Sequence, residues 1–197
     1  MNLLWNTNKE VSSFWGEYHH KNSKSWIFEI LENVEFEEIN SLSNNENNEK
    51  LIIVDSEIPK KQNFYINLFK KFKNIYLIHL GDEGGTEYNE NFYSNFKHIF
   101  RTFHLNKFDE SQKITSIPIG YKTGFNKKII SINDRKYYWC FMGTIHGASR
   151  FDLIHQNQDI KPNFINITKK FGGEKTLSSE EYYNVLKNCV FSLVPHG

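Results

Sequence analysis

The sequence predicts an α/β fold with mostly parallel sheets, arranged in two successive blocks. Continuous β-branched apolar runs, such as residues 51–54 and 75–80, are typical of strands buried on both faces of a parallel sheet. Amphipathic segments separate such runs, as at residues 64–72, where Phe and Leu recur at three-to-four-residue spacing. Strand and helix alternate along the chain in this way, which favours a parallel α/β architecture.

In the first block, residues 3–5 predict a first edge strand. Residues 26–31 are apolar, with no period that distinguishes a helix from a strand. The polar, Asn-rich residues 41–50 predict a loop. The other expected elements are strands at 51–54, 75–80, 98–103 and 114–119 and helices at 64–72 and 88–96.

The second block begins after the polar residues 125–135, a candidate domain crossing. We therefore expect one domain over residues 1–132 and another over 133–197. Ser178 and Glu181 have the spacing of a capping box at a helix start. The expected elements are strands at 137–142, 163–168 and 190–194 and helices at 149–156 and 178–188.

Composition excludes several classes of protein. The 197 residues include 24 Lys+Arg and 23 Asp+Glu, so the chain lacks the positive field that drives non-specific nucleic-acid binding. No apolar run approaches the roughly 18–20 residues of a membrane span, and the first residues do not resemble a signal peptide. Cys140 and Cys189 lie in apolar runs and are expected to be buried free thiols of a cytoplasmic protein.

The first candidate site follows the strand at 75–80, where Asp82 and Glu83 stand between Gly81 and Gly84. Ligands of open α/β sheets bind at the carboxyl ends of strands, and glycines let the backbone approach a ligand closely. Two adjacent carboxylates are suited to general-base chemistry or to binding sugar hydroxyls. An ordinary solvated turn remains the alternative, because Asp and Gly are common turn residues.

A second candidate lies after the strand at 114–119, where Tyr121 and Lys122 reach the same sheet edge. Lys122 is able to pair with an anionic ligand. The alternative is a packed interdomain connection with a solvated lysine, which these residues alone favour.

A third candidate is the turn from the strand at 137–142 into the next helix. Gly143 and Thr144 lead into a loop of small residues, and Arg150 stands in the first helical turn. Helix N-termini bind phosphate, and an Arg fork binds a diphosphate, although the spacing matches neither a P-loop nor a dinucleotide fingerprint. An exposed Arg on a helix is an equally open interpretation. In the fourth candidate, Pro195, His196 and Gly197 leave the last strand and line a nucleotide or sugar pocket, or form a plain loop.

Two further kinds of site are not indicated. His19 and His20 have no partners at metal-ligand spacing, so a zinc site is not expected. There is no Gly-x-Ser-x-Gly elbow for a serine nucleophile.

Taken in order, these segments resemble the exostosin-like glycosyltransferases. Phe100-Arg101, with IPIGYK at 117–122 and Gly124-Phe125, resembles the family stretch FR…IPLGYK.GF. WCFMG at 139–143 followed by Arg150 resembles W.FAG……R, and residues 182–197 resemble Y…L..S.F.L.P.G. HLGDE at 79–83 matches a subset of the family, whereas residues 1–74 carry no placed motif.

The resemblance implies a GT-B architecture of two Rossmann-like domains that transfers sugar, with inversion, from a nucleotide-sugar to a glycan or other hydroxyl acceptor. The donor is expected to be UDP-linked, and no metal or other cofactor is required. The first domain would be on the acceptor side, with Asp82 or Glu83 as the base or as the residue that holds the acceptor hydroxyl. The residues implied for the acceptor or interdomain cleft are Gly81, Gly84, Tyr121 and Lys122, and those for the donor are Gly143, Thr144, Arg150, Pro195, His196 and Gly197.

The sequence departs from the family pattern at its end. Family members continue past the Pro-x-Gly turn into a helix and strand that complete the donor domain, whereas this chain stops at Gly197. We therefore expect a truncated form whose second domain is incomplete and is completed by the missing segment or by a partner chain. Two other functions remain open: a non-catalytic sugar- or nucleotide-binding module, and a hydrolase that uses Asp82 and Glu83. The hydrolase is disfavoured because metal-ligand partners are not found at other strand ends.

Overall fold

The computed structural model describes residues 1–6, 14–39, 41–42, 50–108, 113–125, 130–145, 147–170 and 173–194. In the first helix, the side chains are described from residue 18 onward. The chain divides into two units, Met1–Thr123 and Gly124–Gly197. The boundary expected at 132–133 lies beyond this division, within a short 3₁₀ helix, Ile132–Asp134.

The first unit contains a six-stranded sheet in which every pairing is parallel. Its strand order is β2-β1-β3-β4-β5-β6. This is the order of flavodoxin-type doubly wound sheets, extended by β6, and it reverses between β1 and β3. The strands are β1 Asn2–Trp5, β2 Glu37–Ile39, β3 Leu51–Asp55, β4 Ile75–His79, β5 His98–Arg101 and β6 Ile114–Ser116.

The expectation that the first strand is an edge strand is wrong. β1 lies between β2 and β3, and all four of its residues are buried. The edge position belongs to β2, a strand with two exposed glutamates that the sequence did not predict. A short, wholly apolar strand is stable inside a sheet, whereas charged side chains suit an edge.

Helices cover both faces of this sheet. Alternate strand residues point to opposite faces, so Leu51 and Ile53 join one apolar cluster and Ile52 and Val54 join the other. The ambiguous residues 26–31 fall largely within a helix, and Trp26 and Ile27 pack in the second cluster. The helices are α1 Phe14–Ile30, α2 Gln62–Lys71 and α3 Glu90–Tyr93, with 3₁₀ helices at Ile58–Lys61 and Asn106–Phe108.

The second unit contains a three-stranded parallel sheet of order β8-β7-β9. The expected capping box is confirmed: Ser178 Oγ accepts from the Glu181 amide at 3.2 Å, and the Ser178 amide donates to Glu181 Oε2 at 2.8 Å. Cys140 and Cys189 are buried free thiols, as expected. The elements are β7 Tyr137–Thr144, α4 Ala148–Asn157, β8 Asn163–Thr168, α5 Ser179–Lys187 and β9 Cys189–Ser192.

The predicted α/β class with parallel sheets is therefore confirmed, and both sheets are consistent with a Rossmann-like architecture. No helix in the described parts of the chain combines the length and the apolar character that a membrane span requires.

Candidate functional site

The carboxyl ends of β1, β3 and β4 meet where the strand order of the first sheet reverses. In open α/β sheets, ligands bind in the crevice at such a reversal. A cavity of about 510 Å³, a volume suited to a small ligand, lies beside this point and is lined by α1 and by the segments that follow β3, β4 and β5. Its lining consists of His19, Ser56, Glu57, Pro59, Lys60, Leu80, Gly81, Asp82, Glu83, Glu87 and Phe103.

A second hollow of similar volume lies on the side of the sheet where the strands begin. Its lining includes Asn2, Glu37 and Lys50, which lie at or next to the amino ends of their strands. The first cavity is the better candidate site because it lies at the carboxyl ends, where loops place side chains around a ligand.

Asp82 is held in a buried ion pair. Its Oδ2 accepts from Arg101 Nη2 at 3.0 Å, and neither side chain is exposed. Its Oδ1 accepts from the Glu87 amide at 3.0 Å and from the Thr86 hydroxyl at 3.5 Å. Both carboxylate oxygens are therefore occupied within the protein, which leaves Asp82 poorly placed to take a proton from a ligand.

Arg101 is itself fixed on several sides. Its Nε donates to the Phe103 carbonyl at 2.7 Å, and its Nη1 donates to the Tyr93 hydroxyl at 3.2 Å. Its guanidinium lies 4.5 Å from the centre of the Phe108 ring. Arg101 and Asp82 together hold the loop after β4 against β5, so the FR segment at 100–101 and the DE segment at 82–83 meet in space.

Glu83, the other predicted base, is exposed at the cavity and makes no hydrogen bond or ion pair with the described residues. Gly84 beside it is also exposed, and a Cβ there would come no closer than 3.8 Å to Thr86 Cγ2. Glu83 is therefore available to a ligand, but no neighbouring side chain holds it in one orientation.

Glu87 is a cavity carboxylate with a defined setting. Its Oε2 accepts from the Ile58 amide at 3.0 Å and lies 3.1 Å from His79 Nε2. The other nitrogen of His79, Nδ1, lies 2.5 Å from the Tyr93 hydroxyl. The imidazole of His79 is completely buried, whereas the Glu87 side chain retains 19% exposure.

His19 and Ser56 form another part of the lining. Burial lowers the pKa of His19, and His79 lowers it further, while Glu57 opposes the shift, so the imidazole is neutral at neutral pH. Its Nε2 lies 3.6 Å from where a Cβ would stand on Gly81. Ser56 Oγ is buried and has no hydrogen-bond partner among the described residues, so it can bind a ligand in the cavity.

A buried polar network around Asp55 adjoins the cavity at Ser56. Asp55, at the end of β3, accepts from Asn6 Nδ2 at 2.6 Å, from the Tyr65 hydroxyl at 2.5 Å and from the Ser56 amide at 2.7 Å. It also forms an ion pair with Lys61, whose ammonium donates to the carbonyls of Asn6 and Ser56. This network ties the end of β1 to the end of β3 at the reversal point.

The cavity is also bordered by unusual backbone. Glu57 and Asp82 have left-handed conformations, with φ of 55° and 57°, and Gly81 has φ of 87°. Such conformations are costly for residues other than glycine and persist where surrounding contacts enforce them, often at binding sites. Here the contacts are the Lys60–Glu57 ion pair and the Asp82–Arg101 ion pair.

Tyr121 and Lys122 do not line this cavity. The Tyr121 hydroxyl donates to Glu29 Oε2 at 2.6 Å and so ties its segment to α1. Burial lowers the pKa of Lys122, and the nearby Lys21 lowers it further. Gly120 before them packs against the Trp26 indole, where a Cβ would lie 2.2 Å from Trp26 Cδ2. The described contacts of this motif are therefore with α1.

In the second unit, Gly143, Thr144 and Arg150 come together at the carboxyl end of β7. Arg150 Nη1 donates to the Thr144 carbonyl at 2.8 Å, while its buried Nε has no partner among the described residues. Gly147, the N-cap residue before α4, has φ of 79° and supplies no side-chain cap. A Cβ on Gly143 would lie 3.8 Å from Phe141 Cζ, an ordinary van der Waals contact. An uncapped helix start beside a partly unpaired guanidinium is suited to an anion.

Pro195, His196 and Gly197 lie outside the described residues, so their predicted donor contacts have no structural counterpart here. Within the described residues, no three His, Cys, Asp or Glu side chains are grouped as a metal site would require.

Most of the cavity lining carries no motif in the sequence, and this includes the polar residues His19, Ser56 and Glu87. His19 belongs to a His pair without partners at metal-ligand spacing, Ser56 stands after a strand without any motif, and Glu87 resembles an ordinary polar loop residue. A usable signal was present for Ser56, because it directly follows the buried strand β3 at the reversal point.

Comparison with protein-family models, with curated proteins and with solved structures found no match to this chain. The two groups of side chains, in the first-unit cavity and at the carboxyl end of β7, are therefore what indicates a function.

Proposed function

We propose that this chain is a glycosyltransferase of the exostosin-like type, with GT-B architecture. It transfers a sugar from a nucleotide-sugar donor, UDP-linked, to a hydroxyl of a glycan acceptor with inversion at the anomeric carbon. The first unit binds the acceptor and the second unit binds the donor diphosphate.

The observation that carries this proposal is the difference in charge between the two candidate sites. In the first-unit cavity, Asp82 is paired with Arg101 and Glu57 with Lys60, whereas Glu83 and Glu87 have no Lys or Arg partner among the described residues. An acidic cavity repels a diphosphate but accepts hydrogen bonds from sugar hydroxyls. Phe103 adds an apolar surface for the C–H face of a sugar ring.

The second-unit site has the opposite character. Arg150 and the start of α4, whose N-cap residue Gly147 has no side chain to cap it, provide hydrogen-bond donors and partial positive charge. A nucleotide diphosphate fits this site by charge, and the acidic cavity of the first unit does not compete for it.

The reaction assigns one task to each site. A carboxylate in the first unit takes the proton of the acceptor hydroxyl as that oxygen bonds to the anomeric carbon. The bond from the anomeric carbon to the diphosphate oxygen breaks, and its electron pair leaves with UDP. Arg150 and the first amides of α4 stabilise the charge that develops on the departing diphosphate.

The test is acceptor-dependent release of UDP from a panel of UDP-sugars, measured by chromatography with oligosaccharide acceptors. We expect Arg150→Ala to lower the rate by about 10²-fold, the effect of losing one charge-stabilising donor. Lys161→Ala is the matched control, because Lys161 is an exposed cation that precedes β8 at the opposite sheet edge. Calorimetric binding of UDP without turnover would favour the non-catalytic module. The absence of both UDP binding and turnover would refute the proposal.

A further inference from the structure

We propose that Glu87 is the carboxylate that takes the acceptor proton, and that His79 and Tyr93 position it. This inference rests on the proposed function, and it assigns the base to a residue that neither the sequence motifs nor the family resemblance identified.

The proton positions around His79 follow from the donors that surround it. An arginine can only donate, so the Tyr93 oxygen accepts from Arg101 Nη1 at 3.2 Å. Burial raises the pKa of Tyr93 far above its ordinary value, so the phenol keeps its proton. That proton is directed to His79 Nδ1, 2.5 Å away. Nδ1 is therefore an acceptor, and the ring proton lies on Nε2.

The Nε2 proton then fixes Glu87. Nε2–H donates to Glu87 Oε2 at 3.1 Å, and the Ile58 amide donates to the same oxygen at 3.0 Å. The Glu87 amide is bound to Asp82 Oδ1 at 3.0 Å, so both the backbone and the side chain are held. Oε1 makes no hydrogen bond with the described residues, and Glu87 lines the cavity. Oε2 of Glu87 is thus held by two donors of the protein, while Oε1 is left for a ligand.

The other cavity carboxylates lack this combination. Both oxygens of Asp82 are bonded within the protein. Glu57 is paired with Lys60. Glu83 is exposed and has no partner that would orient it. A general base must be held within hydrogen-bond reach of the proton it removes, and Glu87 is the cavity carboxylate that is both oriented and open.

In the proposed step, the acceptor O–H bond breaks and the proton moves to Glu87 Oε1. The acceptor oxygen bonds to the anomeric carbon, and the electron pair of the old glycosidic bond leaves on UDP. His79 keeps its own proton throughout and acts as a positioning residue. Glu87 returns its proton to water after the product leaves, since its side chain is 19% exposed.

The kinetic test compares Glu87→Ala with Glu83→Ala in the full chain. We expect Glu87→Ala to lower kcat by about 10²- to 10⁴-fold with little change in the acceptor KM. Added formate should restore part of this rate by entering the vacated space as a base. Glu83→Ala should mainly raise the acceptor KM, and formate should not help it. The reverse pattern, with rescue of Glu83→Ala alone, would overturn the assignment of the base.

A second comparison addresses the positioning role of His79. Glutamine can accept from Tyr93 and donate to Glu87, whereas leucine can do neither. We expect His79→Gln to retain at least tenfold more kcat than His79→Leu when both variants show the same thermal stability. Equal losses of kcat at equal stability would remove His79 from the proposal.

A measurement without turnover tests the geometry itself. Nitrogen-15 NMR of histidine-labelled protein should show a proton on Nε2 of His79 and an unprotonated Nδ1, with the resonances assigned from His79→Gln. A proton on Nδ1 would contradict the arrangement. If the wild-type chain transfers no sugar, the proposed function fails and the role of Glu87 as base fails with it. If transfer occurs and Glu87→Ala is unimpaired, the base assignment alone fails.

Discussion

Asp82 provides a sharp test of the site, because its carboxylate is the partner of a fully buried arginine. We expect Asp82→Asn to destabilise the first unit far more than Glu83→Gln, although the two substitutions remove the same charge from adjacent residues. In Asp82→Asn, Arg101 would keep neutral acceptors at Tyr93 and at the carbonyls of Phe103 and residue 82. Its charge would remain completely buried without a counter-ion.

The size of the effect follows from that burial. Removing one partner of a buried ion pair costs about 3–5 kcal/mol, and the remaining acceptors place this case near the lower end. For a unit of 123 residues, a loss of that size corresponds to a fall in Tm of roughly 10–15 °C. Glu83 is exposed and unpaired among the described residues, so Glu83→Gln should change the free energy of unfolding by less than about 0.5 kcal/mol.

The assay is urea unfolding followed by circular dichroism and by tryptophan fluorescence, with separate transitions fitted where the two units unfold independently. A double-mutant cycle with Arg101→Met isolates the pair, because removing both charges should recover much of the loss. An Asp82→Asn protein that is as stable as the wild type would refute the view that Asp82 is a structural counter-ion. In that case its carboxylate would again be a candidate base.

Three further outcomes are expected. Gly120→Ala should lower the free energy of unfolding in urea by about 1–3 kcal/mol, because its Cβ would lie 2.2 Å from Trp26 Cδ2. Gly84→Ala, the control, should be close to neutral. Equal stabilities of the two variants would show that Trp26 moves aside without cost. Hydrogen bonds from Ser178 lower the pKa of Glu181, so the stability that its charged form adds is present above the ordinary carboxyl pKa of 4.5 and is lost as pH falls through the lower, folded value. The difference in Tm between the wild type and Ser178→Ala should therefore shrink between pH 6 and roughly pH 3, and a constant difference would count against the capping box as its source. Cys140 and Cys189 are both buried, so they should react with a thiol reagent such as DTNB only after unfolding, and burial also raises the pKa of Cys189. Rapid reaction of the folded protein would contradict their burial.

Local patterns in the sequence predicted those elements whose stability is itself local. Residues 163–168 form the expected strand, and the Ser178–Glu181 capping box begins the expected helix. Residues 26–31 were ambiguous because an apolar run suits a helix or a strand, and contact with β1 and β3 decides between them. β2 has only three residues, two of them exposed glutamates, and exists through its pairing with β1.

The candidate site shows the same division. The sequence located Asp82 and Glu83 at a strand end, because glycine and acidic residues after an apolar run are a local signal. It did not distinguish their settings, since the partner of Asp82 is Arg101, on the neighbouring strand β5. Glu87 acquires its orientation from His79 and from the amide of Ile58, and neither contact has a sequence signature.

The central position of β1 also bears on how ligands of this protein can be found. Asn2 pairs with Glu37 on one side and with Leu51 on the other, so both ladders of β1 join distant parts of the chain. Pairings between segments distant in sequence form slowly, because closing the intervening loops costs chain entropy before the new contacts stabilise the structure. The cavity draws its walls from α1 and from the segments that follow β3, β4 and β5, so it exists only when these parts of the unit are packed together. A compound that binds in this cavity, at a free concentration of about one hundred times its Kd, should raise the free energy of unfolding of that unit by about 2.7 kcal/mol. A thermal-shift screen of sugars and glycans can therefore identify acceptors before any transfer reaction is known.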